Sequence, residues 1–333
     1  MKSIIELEDS IHNASRRIRA SKAPPVLTPL TKSVGLSNLF NANVYFKEEN
    51  RQITGSFKYR GALNKILTLS TKEQNMGIVT ASSGNHGTAC SVAADKLGLQ
   101  CEVFLPSTAS KLKVQRIKDY GAKVTVVKGD CLVAEQTAKQ YANDNNKTYL
   151  SPYNDLNVIA GQGTIGDEIA KQLPDVDQVF VAVGGGGLIS GIGSTLIQYN
   201  NNIDIVGCWP MASPVMYQCM QANRIIHVTE SDTLSDGTAG NIEPDAITLN
   251  YCKKVIGSTE LVSEEKIKAA FIYMLEHEQL FVEGAAAMTV ACAIQHYENR
   301  RQNSVVNNNK ENIVIVLCGK NMSFETLQSI VST

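Results

Sequence analysis

The sequence predicts an α/β fold with a mostly parallel sheet, on the strength of three observations. Short apolar and β-branched runs alternate along the chain with longer segments of helical periodicity. Most of these runs are apolar on both faces, which is typical of strands that are covered on two sides. The strand–helix order repeats along the chain, and parallel strands need such crossover connections.

Seven segments are predicted to be strands: 44–49, 77–81, 101–106, 123–127, 178–183, 203–209 and 312–319. Eight are predicted to be helices: 56–70, 85–97, 110–119, 130–145, 156–172, 187–199, 263–277 and 284–297. Because 77–151 contains strand–helix units of its own, we expect a small inserted α/β domain there and a large domain made of 1–76 and 152–333. The asparagine-rich segment 302–312 is predicted to be a solvated loop.

Composition excludes several classes of protein. The formal net charge is −1, without a basic block, so no nucleic-acid partner is expected. No run approaches the roughly 20 apolar residues of a membrane helix, and early acidic residues argue against a secretory signal. The eight cysteines are scattered without a C-x-x-C pair. They indicate buried free thiols in a reducing, cytoplasmic compartment and no structural zinc.

The strongest motif is VFVAVGGGGLISGIG at 179–193, where a strand runs into four glycines and then a helix. Glycines let the backbone approach an anion, and a helix N-terminus offers free N–H groups, so this stretch predicts a bound phosphate. The dinucleotide pattern G-x-G-x-x-G fails, since its sixth position is Ile189 or Ser190. The alternative is a tight turn that merely needs small residues.

A second small-residue turn, TASSGNHGTA at 80–89, also joins a strand to a helix. Its side chains can cap the helix, and its donors suit a carboxylate. We therefore expect a substrate-binding loop formed by Ser82, Ser83, Gly84, Asn85 and His86. His86 itself is more typical of a structural histidine than of a base.

Two further stretches become candidate site motifs when they are considered together with the two small-residue turns. In ITGSFKYRGA, Ser56 is predicted to cap a helix whose first turn holds Phe57 and Lys58, at a sheet end where ligands of α/β folds gather. A lysine there can form a Schiff base with an aldehyde, although most such lysines are simply solvated. In VIVLCGKN, an apolar strand delivers Cys318 to a sheet edge, where packing is the alternative role.

A reactive lysine, a phosphate cradle and a carboxylate loop are what a pyridoxal phosphate enzyme acting on an amino acid needs. The chain resembles the threonine/serine dehydratase and serine racemase family over nearly its whole length, through the ordered motifs GSFKYRGA, SSGNHG, VIAGQGTIGDEI, VGGGGLISG and EGAAAM. The resemblance implies pyridoxal phosphate fold type II, similar to the tryptophan synthase β subunit, with two open twisted sheets in a large and a small domain. Three segments, WPMASPVMY, 233–248 and VLCGKN, more weakly resemble hydroxyectoine-utilisation dehydratases.

The resemblance also implies roles for single residues. Lys58 matches the lysine that binds the cofactor aldehyde and moves the α-proton, and Ser83 matches a serine on the opposite side of the substrate. Cys318 matches a position near the pyridine nitrogen. The other implied cofactor contacts are Phe57 beside the ring, Asn85 at its phenolic oxygen, Tyr153 along the cofactor, and Gly184, Gly185, Gly186, Gly187 and Leu188 at the phosphate.

These roles predict β-elimination. A neutral thiol at Cys318 does not keep the pyridine nitrogen protonated as an aspartate would, which favours loss of a β-hydroxyl over transamination. We expect an ammonia-lyase that turns a hydroxy amino acid such as threonine or serine into a 2-oxo acid and ammonia, with Lys58 as base at a lowered pKa. The alternatives are a racemase that uses Ser83, a β-replacement enzyme, a non-catalytic binding protein and a Rossmann dehydrogenase. Relatives most often form homodimers.

Racemase-like relatives also bind a divalent cation, at positions that here are Trp209, Ser213 and Val215. Tryptophan and valine side chains offer no oxygen to such a cation, so no metal site is expected. The nearby acidic residues Glu230, Asp232 and Asp236 are interpreted as solvated loop charges.

Overall fold

The computed structural model describes residues 4–107, 109, 111–129, 131–302 and 310–332. Most of the predicted loop at 302–312, namely 303–309, lies outside the described residues. The chain divides into two compact units. The first comprises Met1–Val26 and Gln52–Thr164, and the second comprises Leu27–Arg51 and Ile165–Thr333.

Helices and strands follow one another through both units. The first half of the chain contains α1 Ile4–Arg19, β1 Leu30–Ser33, α2 Val34–Phe40, β2 Asn43–Lys47, α3 Lys58–Leu67, α4 Thr71–Met76, β3 Ile78–Ala81, α5 Asn85–Leu97, β4 Cys101–Pro106, α6 Lys111–Asp119, β5 Lys123–Val127, α7 Cys131–Asp144, β6 Thr148–Tyr149 and α8 Leu156–Gln172. The second half contains β7 Gln178–Ala182, α9 Gly187–Tyr199, β8 Asp204–Pro210, α10 Val215–Ala222, α11 Thr248–Val255, β9 Ser258–Val262, α12 Glu264–Glu276, α13 Gly284–Gln302, β10 Asn312–Val316 and α14 Phe324–Val331.

The sheet of the first unit has the strand order β5-β4-β3-β6, and all its pairings are parallel. One core of this unit lies where α3 and α5 meet, with Tyr59 and Ala62 among the buried residues of α3 and Ala89 and Ala93 among those of α5. The small residues let the two helices approach closely, and this packing holds the N-terminus of α3 in place.

The sheet of the second unit has the order β1-β2-β10-β7-β8-β9. Only β1 and β2 among its described strands pair antiparallel. In the parallel register Ile315 of β10 lies opposite Phe180 of β7. The carboxyl ends of these neighbouring strands therefore meet at one edge, where ligand sites of open α/β sheets form.

The predicted α/β class and all seven predicted strands are confirmed. Strands β1, β6 and β9 were not predicted, because they are short or only partly buried and carry little hydrophobic pattern. Helices α1, α2, α4, α10, α11 and α14 were not predicted either. β5 is an exception to the expectation that most strands are covered on both sides, since it is an edge strand whose Val126 is 57% exposed.

The predicted domain limits stay a prediction. All four strands of the smaller sheet lie within 77–151. The compact unit that contains them, however, also includes 1–26, 52–76 and 152–164.

Candidate functional site

Lys58 is the first residue of α3, in the first unit. Its half-buried amine donates a hydrogen bond of 2.9 Å to the carbonyl oxygen of Pro152, and its Nζ lies 5.1 Å from the centre of the Phe57 ring. The next residue, Tyr59, is fully buried and its hydroxyl donates to the Ala23 carbonyl at 2.8 Å. The buried anchor and the two contacts of the amine together restrict where Lys58 can reach.

The predicted cap of this helix is wrong. The N-cap residue is Phe57, with helical φ and ψ of −57° and −23°, and no side chain caps the helix. The hydroxyl of Ser56 is buried and has no hydrogen-bond partner among the described residues. With Phe57 already helical, Ser56 lies one position too early to act as the cap.

The loop that precedes α5 leaves the start of that helix without a side-chain cap. The N-cap residue is Gly84, so the predicted capping by serine or asparagine does not occur. The hydroxyl of Ser82 instead accepts from the backbone N–H of Gly84 at 3.2 Å. Ser82, Ser83, Gly84 and Asn85 are all partly exposed. First-turn N–H groups lack partners within a helix, so this N-terminus can receive a carboxylate.

His86 is directed away from solvent. It is 3% exposed, its Nε2 lies 3.0 Å from the Leu150 carbonyl oxygen, and the thiol of Cys90 lies 3.5 Å from the same nitrogen. Burial, and then the nearby charge of Lys58, lower its pKa from 6.5 to about 3. His86 is therefore neutral, as expected of a structural histidine, and the predicted substrate contact stays a prediction that concerns its backbone N–H.

Tyr153 directly follows the carbonyl that binds Lys58. The turn is held by the hydroxyl of Ser151, which accepts from the backbone N–H of Asn154 at 2.9 Å. Tyr153 is partly exposed. The first unit therefore brings Lys58, His86 and the residue before Tyr153 together, while the role of Tyr153 stays a prediction.

In the second unit, the four glycines join β7 to α9. Gly186 is the N-cap residue of α9, has a left-handed φ of 82° and provides no side-chain cap. A Cβ atom on Gly186 would lie 2.6 Å from the Cys252 sulfur, and one on Gly184 would lie 2.9 Å from Cα of Thr238. Only glycine fits these two positions, which confirms that the turn needs small residues.

The same turn also fits a phosphate. Gly184 and Gly185 are partly exposed, so the approach to the backbone is open, whereas the side chain of Leu188 is buried. The N–H groups of the first turn of α9 have no side chain to cap them and can donate to phosphate oxygens.

Cys318 follows β10 and Gly184 follows β7, the parallel neighbour of β10. The Cys318 thiol is buried and donates to Oε1 of Glu283 at 3.8 Å. Glu283 is 3% exposed, and its Oε2 accepts from the backbone N–H of Asn321 at 3.0 Å. A Cβ on Gly319 would lie 2.5 Å from this carboxylate.

Glu283 is the first residue of the EGAAAM motif, and no role was predicted for it. The available signal was a single charged residue directly before a run of small apolar ones. A carboxylate in that position is either a helix-start charge or a buried one with partners.

Of the three positions that the resemblance relates to a cation site, the first holds a buried aromatic ring. Trp209 is fully buried, its indole N–H has no hydrogen-bond partner among the described residues, and its ring lies 5.7 Å from that of Tyr217. Ser213 donates to Glu230, which also accepts from the Gly240 backbone N–H at 2.8 Å. Glu230 is partly exposed, in keeping with its interpretation as a loop charge, but it also has these hydrogen-bond partners.

Asp232 and Asp236 are exposed, in keeping with their interpretation. Across the described ranges, no three His, Cys, Asp or Glu residues are grouped so that they could hold a metal ion. Nor does any helix in the part of the chain that the structure describes have the length and apolar character to cross a membrane.

Comparison with known proteins agrees with this arrangement. The family described as "Pyridoxal-phosphate dependent enzyme" matches residues 25–319. The chain is 35% identical to an L-threonine ammonia-lyase of Geobacter sulfurreducens, over 91% of this chain and 73% of the relative. It is 34% identical to the catabolic L-threonine dehydratase TdcB of Staphylococcus aureus, over 91% and 86%.

Two solved structures share the fold. Maize serine racemase has a TM-score of 0.88 at 28% identity, covering 98% of this chain and 97% of that one. Threonine deaminase isoform 2 from Solanum lycopersicum has a TM-score of 0.88 at 30% identity, covering 97% and 93%. The chain belongs to the family of pyridoxal-phosphate dependent enzymes, and pyridoxal phosphate is its cofactor.

Proposed function

We propose that the protein is an ammonia-lyase that removes the β-hydroxyl group of an L-hydroxy amino acid such as threonine or serine, giving a 2-oxo acid and ammonia. The relatives named L-threonine ammonia-lyase and L-threonine dehydratase, each aligned over 91% of the chain, support this activity. The observation that carries the proposal is the half-buried amine of Lys58, held at the start of α3 and bonded to the Pro152 carbonyl. A base at a fixed place is what proton removal from Cα requires.

The cofactor contacts are also proposals. Lys58 would hold the aldehyde carbon and Phe57 would lie beside the ring. Asn85 and Tyr153 would contact the ring from the same unit. The backbone from Gly184 to Leu188 would bind the phosphate, which the close backbone approach at Gly184 and the uncapped start of α9 support. When bound, pyridoxal phosphate supplies a ring that withdraws electrons from Cα.

The chain itself supplies binding and proton transfer. The N–H groups at the start of α5, with the hydroxyls of Ser82 and Ser83, would hold the substrate carboxylate. Once the substrate amine has displaced Nζ of Lys58 from the aldehyde carbon, the freed Nζ would take the proton from Cα. The β-hydroxyl would leave with its electron pair and depart with a proton as water, and a second water would then release the nitrogen as ammonia and leave the 2-oxo acid. At the position that the resemblance places near the ring nitrogen, the thiol of Cys318 donates to Oε1 of Glu283.

A substrate panel tests this proposal. Purified protein loaded with pyridoxal phosphate is incubated with L-threonine, L-serine and other hydroxy amino acids, and ammonia and 2-oxo acid are measured together. Equal amounts of both products from at least one substrate, without an added nucleophile, are expected, and would exclude β-replacement. Failure to release either product from any member of the panel would refute the lyase assignment.

A racemase is the second candidate, because one solved neighbour is a serine racemase and Ser83 is partly exposed at the start of α5. A racemase needs a second proton donor opposite Lys58, and a serine hydroxyl is suited to that place. Chiral analysis of the serine that remains after incubation separates the two activities. D-serine without 2-oxo acid would favour the racemase.

A non-catalytic binding protein would show neither product.

We also propose a homodimer in the cytoplasm. The cysteines whose side chains are described are buried free thiols, which suits a reducing compartment. Sedimentation of the loaded protein would determine the number of subunits.

A further inference from the structure

A tight buried turn, made of residues 235–238 and called here the 235–238 turn, packs on the glycine stretch. Ser235 is fully buried and Thr238 is 7% exposed. The backbone N–H and the hydroxyl of Thr238 each donate to the Ser235 carbonyl, both at 2.9 Å. Since the only hydroxyl proton of Thr238 is used there, the Ser235 hydroxyl is the donor in the 2.7 Å contact between the two side chains.

This turn lies directly against Gly184. A Cβ atom at Gly184 would be 2.9 Å from Cα and 3.0 Å from the carbonyl oxygen of Thr238. The contact is between backbone and backbone, so neither partner can move aside as a flexible side chain would. The position of Thr238 therefore fixes the position of Gly184.

The other side of the turn is fastened to the rest of its unit. The backbone N–H of Leu234 donates to Oε2 of Glu264 at 2.7 Å. A Cβ at Gly284 would lie 1.7 Å from the Leu234 carbonyl oxygen, so the chain before the turn presses on the start of α13. At Gly237, a Cβ would lie 3.5 Å from Oε1 of Glu283. These contacts with α12 and α13 hold the turn in place, and the turn in its place holds the glycine stretch.

We infer that Ser235 and Thr238 are positioning residues for the phosphate group, because their hydroxyl bonds hold the turn that holds Gly184. The inference rests on the proposed assignment of the glycine stretch to the phosphate. Neither hydroxyl is taken to touch the cofactor. Loosening the turn should weaken binding only of ligands that carry the phosphate.

Binding to the cofactor-free protein tests this, with pyridoxal phosphate and pyridoxal as the two probes in equilibrium dialysis. Thr238→Val keeps the shape of the side chain and removes both hydroxyl bonds. We expect it to raise the Kd of pyridoxal phosphate about tenfold, the size typical of a lost buried hydrogen bond. Pyridoxal lacks the phosphate, and the rest of the ligand is expected to lie away from the turn. Its Kd should therefore change by less than about twofold.

Thr289→Val is the matched control. Thr289 is a fully buried threonine of the same unit, and its hydroxyl donates to the Ala285 carbonyl at 3.0 Å within α13. It should leave the ratio of the two Kd values as in the unaltered protein. Thermal unfolding of the two cofactor-free variants shows whether they fold. If Thr238→Val does not fold, Ser235→Ala takes its place with the same expectation.

The outcomes are distinct. A Kd ratio that Thr238→Val leaves unchanged, in a protein that prefers pyridoxal phosphate, overturns the positioning role alone. Equal weakening of both ligands does the same, since it indicates general loosening. An unaltered protein that binds pyridoxal as tightly as pyridoxal phosphate overturns the assignment of the glycine stretch to the phosphate, and the inference with it.

Discussion

The thiol of Cys318 lies 3.8 Å from Oε1 of Glu283, and both side chains are buried. The position that we propose lies near the cofactor nitrogen therefore already has a buried carboxylate beside it. A second carboxylate at 318 would face the first at close range in a site with little water. Like charges in such a place repel, or one of them must take up a proton.

Cys318→Asp should consequently lower the free energy of unfolding of the cofactor-free protein by on the order of 2–4 kcal/mol at pH 7. Cys318→Ser keeps a neutral donor and should stay within about 1 kcal/mol of the unaltered protein. Urea unfolding measures both. Equal midpoints for the two variants would show that the carboxylate at 283 does not constrain residue 318.

Lys58→Ala should abolish the near-visible absorption of the protein loaded with pyridoxal phosphate, because the amine that we propose bonds the aldehyde is gone. Ammonia release from the best substrate should fall at least about 10³-fold, as for loss of a general base. Lys65→Ala is the control, since Lys65 lies on the same helix and pairs with Asp155 at 2.7 Å. If the Lys58→Ala protein keeps this absorption band, an amine other than that of Lys58 bonds the aldehyde.

Gly186→Ala and Gly98→Ala separate backbone strain from crowding. Both glycines have a left-handed φ, 82° and 73°, but a Cβ at Gly98 would meet nothing within 4 Å, while one at Gly186 would lie 2.6 Å from the Cys252 sulfur. Gly98→Ala should cost about 1 kcal/mol of stability. Gly186→Ala should cost about 2–4 kcal/mol, because overpacking adds to the strain.

Chemical unfolding of the two variants gives these values directly. Gly186→Ala should in addition weaken pyridoxal phosphate binding, and Gly98→Ala should not. Equal losses of stability would mean that the Cys252 side chain moves away without cost.

His86 should give the protein a distinct dependence of stability on pH. Its pKa is about 3 in the folded protein, below the ordinary 6.5, chiefly because it is buried. Between these values the unfolded chain binds a proton that the folded chain does not. The stability is therefore complete above pH 6.5 and is lost as the pH falls toward 3, by up to about 1.4 kcal/mol per pH unit.

His86→Gln should remove that part of the slope between about pH 4 and about pH 6, a window that lies between the two pKa values. His227→Gln is the matched control, since His227 is exposed. Unfolding midpoints at several pH values decide the matter. If the slope survives in His86→Gln but disappears in His227→Gln, the pH dependence belongs to His227 and not to His86.

Ser83→Ala should distinguish the two proton-transfer roles. Formation of the D-isomer, which needs a donor opposite Lys58, should fall by at least about 100-fold. Ammonia release should fall far less, because the base at Lys58 and the other proposed carboxylate-binding groups, the N–H groups of α5 and the Ser82 hydroxyl, remain. Chiral chromatography and ammonia detection on the same sample give both rates, and parallel loss of both would leave Ser83 only its proposed role in binding the substrate carboxylate.

Several elements could be read from local pattern alone. The helices Asn85–Leu97, Leu156–Gln172 and Gly187–Tyr199 have the ends that periodicity and glycine turns predict. The strands that were missed lie at sheet edges, where partial exposure removes the apolar run that marks a buried strand. The Ser56 cap was wrong because a helix can begin one residue later than its best capping residue suggests.

The sequence by itself determined the chemical groups at each strand end: the lysine framed by Phe57 and Tyr59, the Ser-Ser-Gly-Asn turn and the four glycines. Such groups are contiguous, so their order alone predicts a phosphate turn and a reactive lysine. Only the tertiary structure decided that Glu283 backs Cys318 and that Thr238 holds Gly184. These partners lie tens of residues apart, and the order of strands in the sheet, which no local pattern encodes, brings them into contact.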